Sequence, residues 1–133
     1  MFLLGASTAW VAYVPAGDLA RVKQSNAGVL NRVRSSTDWN LGGDLLWGYF
    51  FVNSRKAPLV VLSRVLPAFG YRTVDLTLQE DGKLWWLHSE RIHTNSLESI
   101  SIREVRFNRL ARLFFNSDFD GWDVGRAPGQ RVN

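Results

Sequence analysis

Leu45-Leu46-Trp47-Gly48-Tyr49-Phe50-Phe51-Val52 is an unbroken apolar run in which both alternating faces are hydrophobic. Successive side chains of a strand point to opposite sides, so a run of this kind has no face to give to water. It predicts a strand inside a sheet, covered on both sides, and the rest of the chain must supply its neighbours and its cover. With 133 residues there is material for one domain and one core.

The flanking segments read as that material. Trp10 to Val14 is a short apolar run closed by Pro15 and Gly17 and predicts a first strand. Asp18 is placed to cap a helix carrying Leu19, Val22, Ala27, Leu30 and Val33 at near-helical intervals, ending before Ser35. After the central run, Pro58 suits a first helical turn, and Leu59, Leu62, Val65, Leu66 and Phe69 form one stripe. Pro67 makes the last turn irregular and Gly70 fits the C-terminal cap.

Arg72 to Gln79 alternates, with Val74, Leu76 and Leu78 on one side. Asp81-Gly82 then predicts a two-residue turn with positive φ at both positions, leading into Leu84-Trp85-Trp86-Leu87. Ser101-Ile102-Arg103-Glu104 has the spacing of a capping box, and the helix behind it carries Phe107, Leu110, Ala111 and Phe114. The resulting order, β-α-β-α-β-β-α, predicts an α+β ferredoxin-like sandwich: one mainly antiparallel sheet with helices on one face. The expected domain is residues 1–124, with 125–133 a polar, flexible tail.

Several chemistries are excluded by what the sequence lacks. There is no cysteine, hence no disulfide, thiolate metal site or cysteine nucleophile. No nucleophile elbow, phosphate-binding loop or dinucleotide-binding glycine pattern is present. The two histidines, His88 and His93, fall on opposite faces of one strand, which is poor geometry for a shared metal. No cofactor is expected. No stretch reaches the ~20 apolar residues of a membrane span, and the N-terminus lacks the basic start of a secretion signal, so a cytoplasmic protein without membrane contact is expected.

Three features could contact a partner. Asp118-Phe119-Asp120-Gly121-Trp122-Asp123 alternates carboxylates but fails the EF-hand pattern. Its plain reading is a tight Asp-Gly turn that docks Trp122 on the core, and the other is an acidic, aromatic edge for a partner. Arg103, Arg106, Arg109 and Arg112 repeat every third residue and form either a solvated face or a phosphate-contacting ridge. Trp85 and Trp86 are either core or base-stacking side chains.

Taken together, residues 19–124 resemble the family of the bacterial regulator of ribonuclease activity B, the RraB-like proteins. The resemblance lies in Gly48-Tyr49-Phe50-Phe51, Leu66-Pro67-Ala68-Phe69-Gly70-Tyr71 and Leu84-Trp85-Trp86-Leu87. It continues through Asn108-Arg109-Leu110-Ala111 to Phe119-Asp120-Gly121-Trp122, which is similar to the family's closing Tyr-Asp-Gly-Trp. It implies a ferredoxin-like fold and a non-enzymatic role, binding and restraining an RNA-cleaving enzyme. Such a regulator is expected to be strongly acidic, whereas this chain carries +4. Immunity proteins against nuclease toxins, which are also small domains without an active site, therefore stand beside it as the expected class.

The expected contact surface is Asp118, Asp120, Trp122 and Asp123, whose carboxylates mimic phosphates before a basic cleft, with the exposed loop residues Trp39 and Asp44 as secondary candidates. The partner expected is a protein, a nuclease or toxin domain. An RNA-binding module using the arginine ridge and the tryptophans is the alternative.

Overall fold

The computed structural model describes residues 13–127. In order these form α1 (Ala16–Ser36), β1 (Leu45–Asn53), α2 (Lys56–Val65), a 3-10 turn (Leu66–Phe69), β2 (Arg72–Leu78), β3 (Trp85–His93), α3 (Leu97–Leu113) and β4 (Asp118–Gly125). The strands make one sheet in the order β2-β3-β1-β4, with every neighbouring pair antiparallel. From β1 onward the sequence β-α-β-β-α-β and this strand order are the ferredoxin-like arrangement, with α1 added in front.

The helices lie on one face. The odd-numbered residues of β1, Leu45, Trp47, Tyr49 and Phe51, are buried there against Leu59, Leu62 and Leu66 from α2 and its following turn, Ile100 and Phe107 of α3, and Leu30 of α1. Phe107 is the hub of the aromatic packing, 5.2 Å from Tyr49, 5.3 Å from Phe51 and 5.5 Å from Phe119 between ring centroids, all in edge or tilted geometry. Gly70 takes the left-handed conformation, φ 94°, that closes the 3-10 turn and releases the chain into β2.

Several expectations need correction. β1 is central and largely buried on both faces, as expected, but no described helix lies over its even-numbered side, where Gly48 and Val52 are buried and Leu46 and Phe50 half-buried. Of the strand expected at Trp10 to Val14, residues 10–12 lie outside the described residues, while Tyr13 and Val14 are irregular. The helix α1 starts at Ala16 after Pro15, two residues before Asp18, and the stiff φ of proline sets that entry.

In β2 the alternation fails. A bulge between Thr73 and Asp75 shifts the register, and Val74 and Leu78 end 40% and 46% exposed on an edge strand. In the β2–β3 connection only Gly82 takes positive φ, 72°, because its N–H closes back on Gln79 while the Asp81 carboxylate accepts from Lys83 N–H.

The capping box is not at Ser101 but at Ser96 and Ser99, whose side chains and backbone N–H groups satisfy each other. Ser101 is fully buried a turn inside the helix. The largest departure is at the end of the chain. Asp118-Phe119-Asp120-Gly121-Trp122-Asp123 is no turn but the fourth strand, paired along β1. The expected tail also begins later than Gly125: Gly125 pairs with Leu46, Arg126 lies 3.6 Å from Asp38, and Ala127 is buried. Residues 128–133 lie outside the described residues.

Candidate binding surface

The face of the sheet that no described helix covers is defined by register. On β1 it carries Leu46, Gly48, Phe50 and Val52; on β3 their partners Ile92, Glu90, His88 and Trp86. Asp75 and Arg72 of β2 stand opposite His88 and Glu90. On β4, Asp123 stands opposite Gly48 and Asp118 opposite Val52. The register shift between Phe50 and Phe51 leaves Asp120 without a partner on β1, and Gly121 beside it takes φ 112°, a conformation that favours glycine.

At the centre His88 stacks on Phe50, ring centroids 4.4 Å apart and 18° between planes, with Trp86 tilted at 5.7 Å from Phe50. Gly48 is the floor. A methyl group there would overlap the Asp123 carboxylate and come within 2.9 Å of His88 Nε2, so the absence of a side chain is what lets an acid from β4 and an imidazole from β3 lean toward each other over β1. Arg72, the one arginine at these paired positions, is taken up by an ion pair with Glu90. Asp118, Asp120 and Asp123 are exposed, and no ion pair or side-chain hydrogen bond engages their carboxylates among the described residues. The surface is therefore an aromatic strip with an acidic rim.

Of the residues expected to make contact, Asp118, Asp120 and Asp123 come together on that rim. Trp122 does not. It points to the helix side, 5.3 Å from Trp47, and its indole N–H donates to Asn26 Oδ1 at 3.2 Å. Trp39 is not an exposed loop residue but packs, half-buried, against the core. Asp44 lies just before β1 and accepts a hydrogen bond from Thr94 Oγ1 at 2.7 Å.

The arginines of the expected ridge belong to α3, on the helix side of the sheet. Arg106 and Arg112 are exposed on α3, and Arg112, with Arg109, Arg21 and Asp18, borders a groove of about 570 Å³ between α1 and α3. The ridge is incomplete, because Arg103 turns inward: its Nε donates to Tyr71 Oη at 2.8 Å and its guanidinium also reaches Asn95 Oδ1. Trp85 is likewise turned to the helix side, with Lys56 Nζ 5.0 Å above its ring.

A second polar cluster lies inside the core. Asn95 Nδ2 donates to Tyr49 Oη at 3.2 Å and reaches His93 Nε2 at 3.3 Å, and Ser99 Oγ donates to Asn95 Oδ1 at 2.8 Å. Burial, with the Arg103 and Arg91 charges adding to it, holds His93 down at about 4. Burial pushes the Tyr49 phenol well above its ordinary range. A neutral imidazole and an un-ionised phenol, hydrogen-bonded and packed against Tyr71 and Phe107, tie β1, β3 and α3 together.

Sequence reasoning missed the His88–Phe50 stack and the close approach over Gly48. The signal was a glycine in the middle of an apolar strand, which marks a close approach by a neighbour. Among the described residues no group of three histidine or acidic side chains is placed to hold a metal ion, and no described helix is long and apolar enough to cross a membrane. No protein-family model matches the chain, and no curated protein matches it.

Proposed function

We propose that this chain is a non-enzymatic inhibitor that binds and neutralises an RNA-cleaving enzyme, docking through the acidic rim of its open sheet face. The nearest class is an immunity protein acting in the cytoplasm against a cognate bacterial nuclease toxin. An RraB-like regulator of a housekeeping ribonuclease is the same mechanism with another target.

The observation that carries this reading is the sorting of charge. In a chain of net charge +4, Asp75, Asp118, Asp120 and Asp123 collect around one face, while the exposed arginines of α1 and α3 lie on the other. An enzyme that holds RNA presents a basic cleft. Carboxylates spaced along a strand occupy phosphate positions in such a cleft, and complementary fields speed the encounter. The aromatic strip beside them supplies the desolvated centre that a tight interface of ~800 Å² per partner needs. The family resemblance supports the same surface, since Phe119-Asp120-Gly121-Trp122 lies in β4.

An RNA-binding module would need stacking side chains and arginines on one face. Here Phe50, His88 and Trp86 lie among carboxylates that repel phosphate. The test is titration of the purified protein into any nuclease domain found encoded beside it, and into ribonuclease E, cleaving a fluorogenic RNA. Stoichiometric loss of cleavage is expected. Asp120→Lys with Asp123→Lys weakens binding more than tenfold, and Arg106→Glu with Arg109→Glu leaves it intact. Salt-sensitive binding of RNA by the protein alone, with no inhibition, would establish the RNA-binding reading instead.

A further inference from the structure

Between α3 and β4 the chain turns through two consecutive residues in the left-handed region, Phe115 at φ 53° and Asn116 at φ 55°. Asparagine tolerates this conformation; a phenylalanine in it is an outlier, because Cβ crowds the carbonyl. Strain of this kind persists only where the surroundings over-determine it. Here they do. Buried Asn53 donates through Nδ2 to Phe115 O at 3.3 Å and Ser117 Oγ at 2.9 Å, and its Oδ1 accepts from Arg55 N–H at 2.9 Å. Fully buried Ser117 donates to Phe114 O at 2.7 Å, and Asn116 N–H donates to Arg112 O.

The product of this locked turn is a phenylalanine aimed at solvent. Phe115 is 71% exposed, more than any other large apolar side chain among the described residues, with the Arg55 guanidinium 5.5 Å from its ring centroid. Beyond the exposed contact with Arg55, folding buries little of a ring placed there, and glycine would close the same turn without strain. The position is at the end of the acidic rim. Asp118, three residues on, begins β4 and pairs with Val52, the residue before Asn53. An exposed aromatic held rigidly beside charged neighbours is the form an interface anchor takes, since little side-chain freedom is lost on docking.

We infer that Phe115 is the apolar anchor of the docking surface, inserting into an apolar pocket on a protein partner whose basic side chains line the side that meets Asp118 and Asp120 and not the side that faces Arg55. This rests on the acidic rim being the docking face, and not on the partner being a nuclease.

The test uses the full chain in the cells it comes from, with the photo-crosslinking residue p-benzoylphenylalanine placed at position 115, at 120, or at the exposed helical position 61 as control. A single protein joined at 115 but not at 61, and lost when Asp118→Lys and Asp120→Lys are added, supports the anchor. Thermal melts make the second arm. Phe115→Gly raises the melting midpoint by roughly 3 °C or more as strain is released, yet lowers recovery of the crosslinked partner on affinity beads at least tenfold. Asn116→Gly also raises the midpoint and leaves recovery unchanged. Crosslinking at 120 alone overturns the anchor and leaves the rim; crosslinking at neither overturns both. A captured partner without RNA-cleaving activity leaves the anchor standing and removes the nuclease reading. A Phe115→Gly protein that melts lower and recovers its partner fully makes the ring a structural element, and the inference fails.

Discussion

Tyr49 and His93 meet inside the core with the phenolic oxygen 2.7 Å from Nε2, an acid group and a base group that both stay uncharged. Asn95 Nδ2 also faces that nitrogen, so Nε2 accepts and the ring proton is assigned to Nδ1. This neutrality makes the fold sensitive to acid. An unfolded chain protonates the histidine near its ordinary 6.5, while the folded protein resists until about 4. The unfolded state therefore binds the extra proton first. Stability is full above the ordinary value and falls as pH drops from about 6.5 toward 4. The loss is on the order of 1–2 kcal/mol once solvent screening of the half-buried ring is allowed for. Urea midpoints measured between pH 7 and pH 4.5 should show it, and His93→Gln should lose that share of the pH dependence. An equal slope in the variant assigns the acid sensitivity elsewhere.

Trp122 belongs to the fold rather than to the docking surface. Buried Asn26 receives the Trp122 indole proton on Oδ1 and donates through Nδ2 to Ser101 Oγ, joining β4, α1 and α3 with one side chain. Replacing Asn26 by Leu leaves two buried polar groups without partners, a loss of about 2–3 kcal/mol. Trp122→Phe removes one donor and should cost about 1–2 kcal/mol by denaturant melts. It should leave partner affinity within twofold. A tenfold affinity loss from Trp122→Phe at unchanged stability would return this residue to the interface.

Gly48 makes a third test. Its backbone is ordinary strand, so the demand for glycine comes from the Asp123 carboxylate and the His88 ring above it. Gly48→Ala overfills that space, at about 1–3 kcal/mol, and pushes the imidazole off Phe50. The loss of stacking is visible as a downfield move of the His88 ring protons in NMR. Removing the carboxylate as well, in Gly48→Ala with Asp123→Ala, should recover most of the stability, because the two sites share one contact. If the double variant is as unstable as the single, the conflict lies with His88 alone.

How far the sequence disclosed this molecule depends on which contacts were local. The run at 45–52 announced β1 because its pattern is contained within eight side chains, and Gly70 announced the exit from α2 because only glycine is at ease at φ 94°. β4 was illegible for the opposite reason. Asp-Phe-Asp-Gly-Trp-Asp has turn residues and few β-formers, and it becomes a strand through pairing with β1 some 70 residues earlier, the bulge at Asp120 absorbing its poor alternation. The capping box was misplaced because Ser96-x-x-Ser99 does not fit the Ser-x-x-Glu pattern that Ser101 and Glu104 imitate. Three aspartates were picked out from charge alone. The tryptophan between them docks on the core, as its plain reading had it, and was wrongly added to the contact surface, because which face it occupies is decided by the bulge.

Glu104 gives the last prediction. It does not cap a helix: it sits mid-way along α3, half-buried at the corner where Asn26 and Trp122 meet. Burial raises its carboxyl above the ordinary range, with hydrogen bonds to Asn26 and Trp122 opposing the rise. A raised carboxyl is one the folded protein prefers to protonate, so its contribution is fully present below the ordinary carboxylate value and lost as pH rises through the folded one. Once ionised, the carboxylate is a group that this corner holds less comfortably than the neutral acid. Glu104→Gln keeps an acceptor oxygen for the same neighbours and removes the charge. The variant should melt higher than the parent at pH 7, and the gap should close as pH is lowered through the carboxylate range, where the parent becomes neutral too. A gap that stays constant with pH would mean that the gain comes from packing or helix propensity, and one of opposite sign would mean that the hydrogen bonds outweigh the burial.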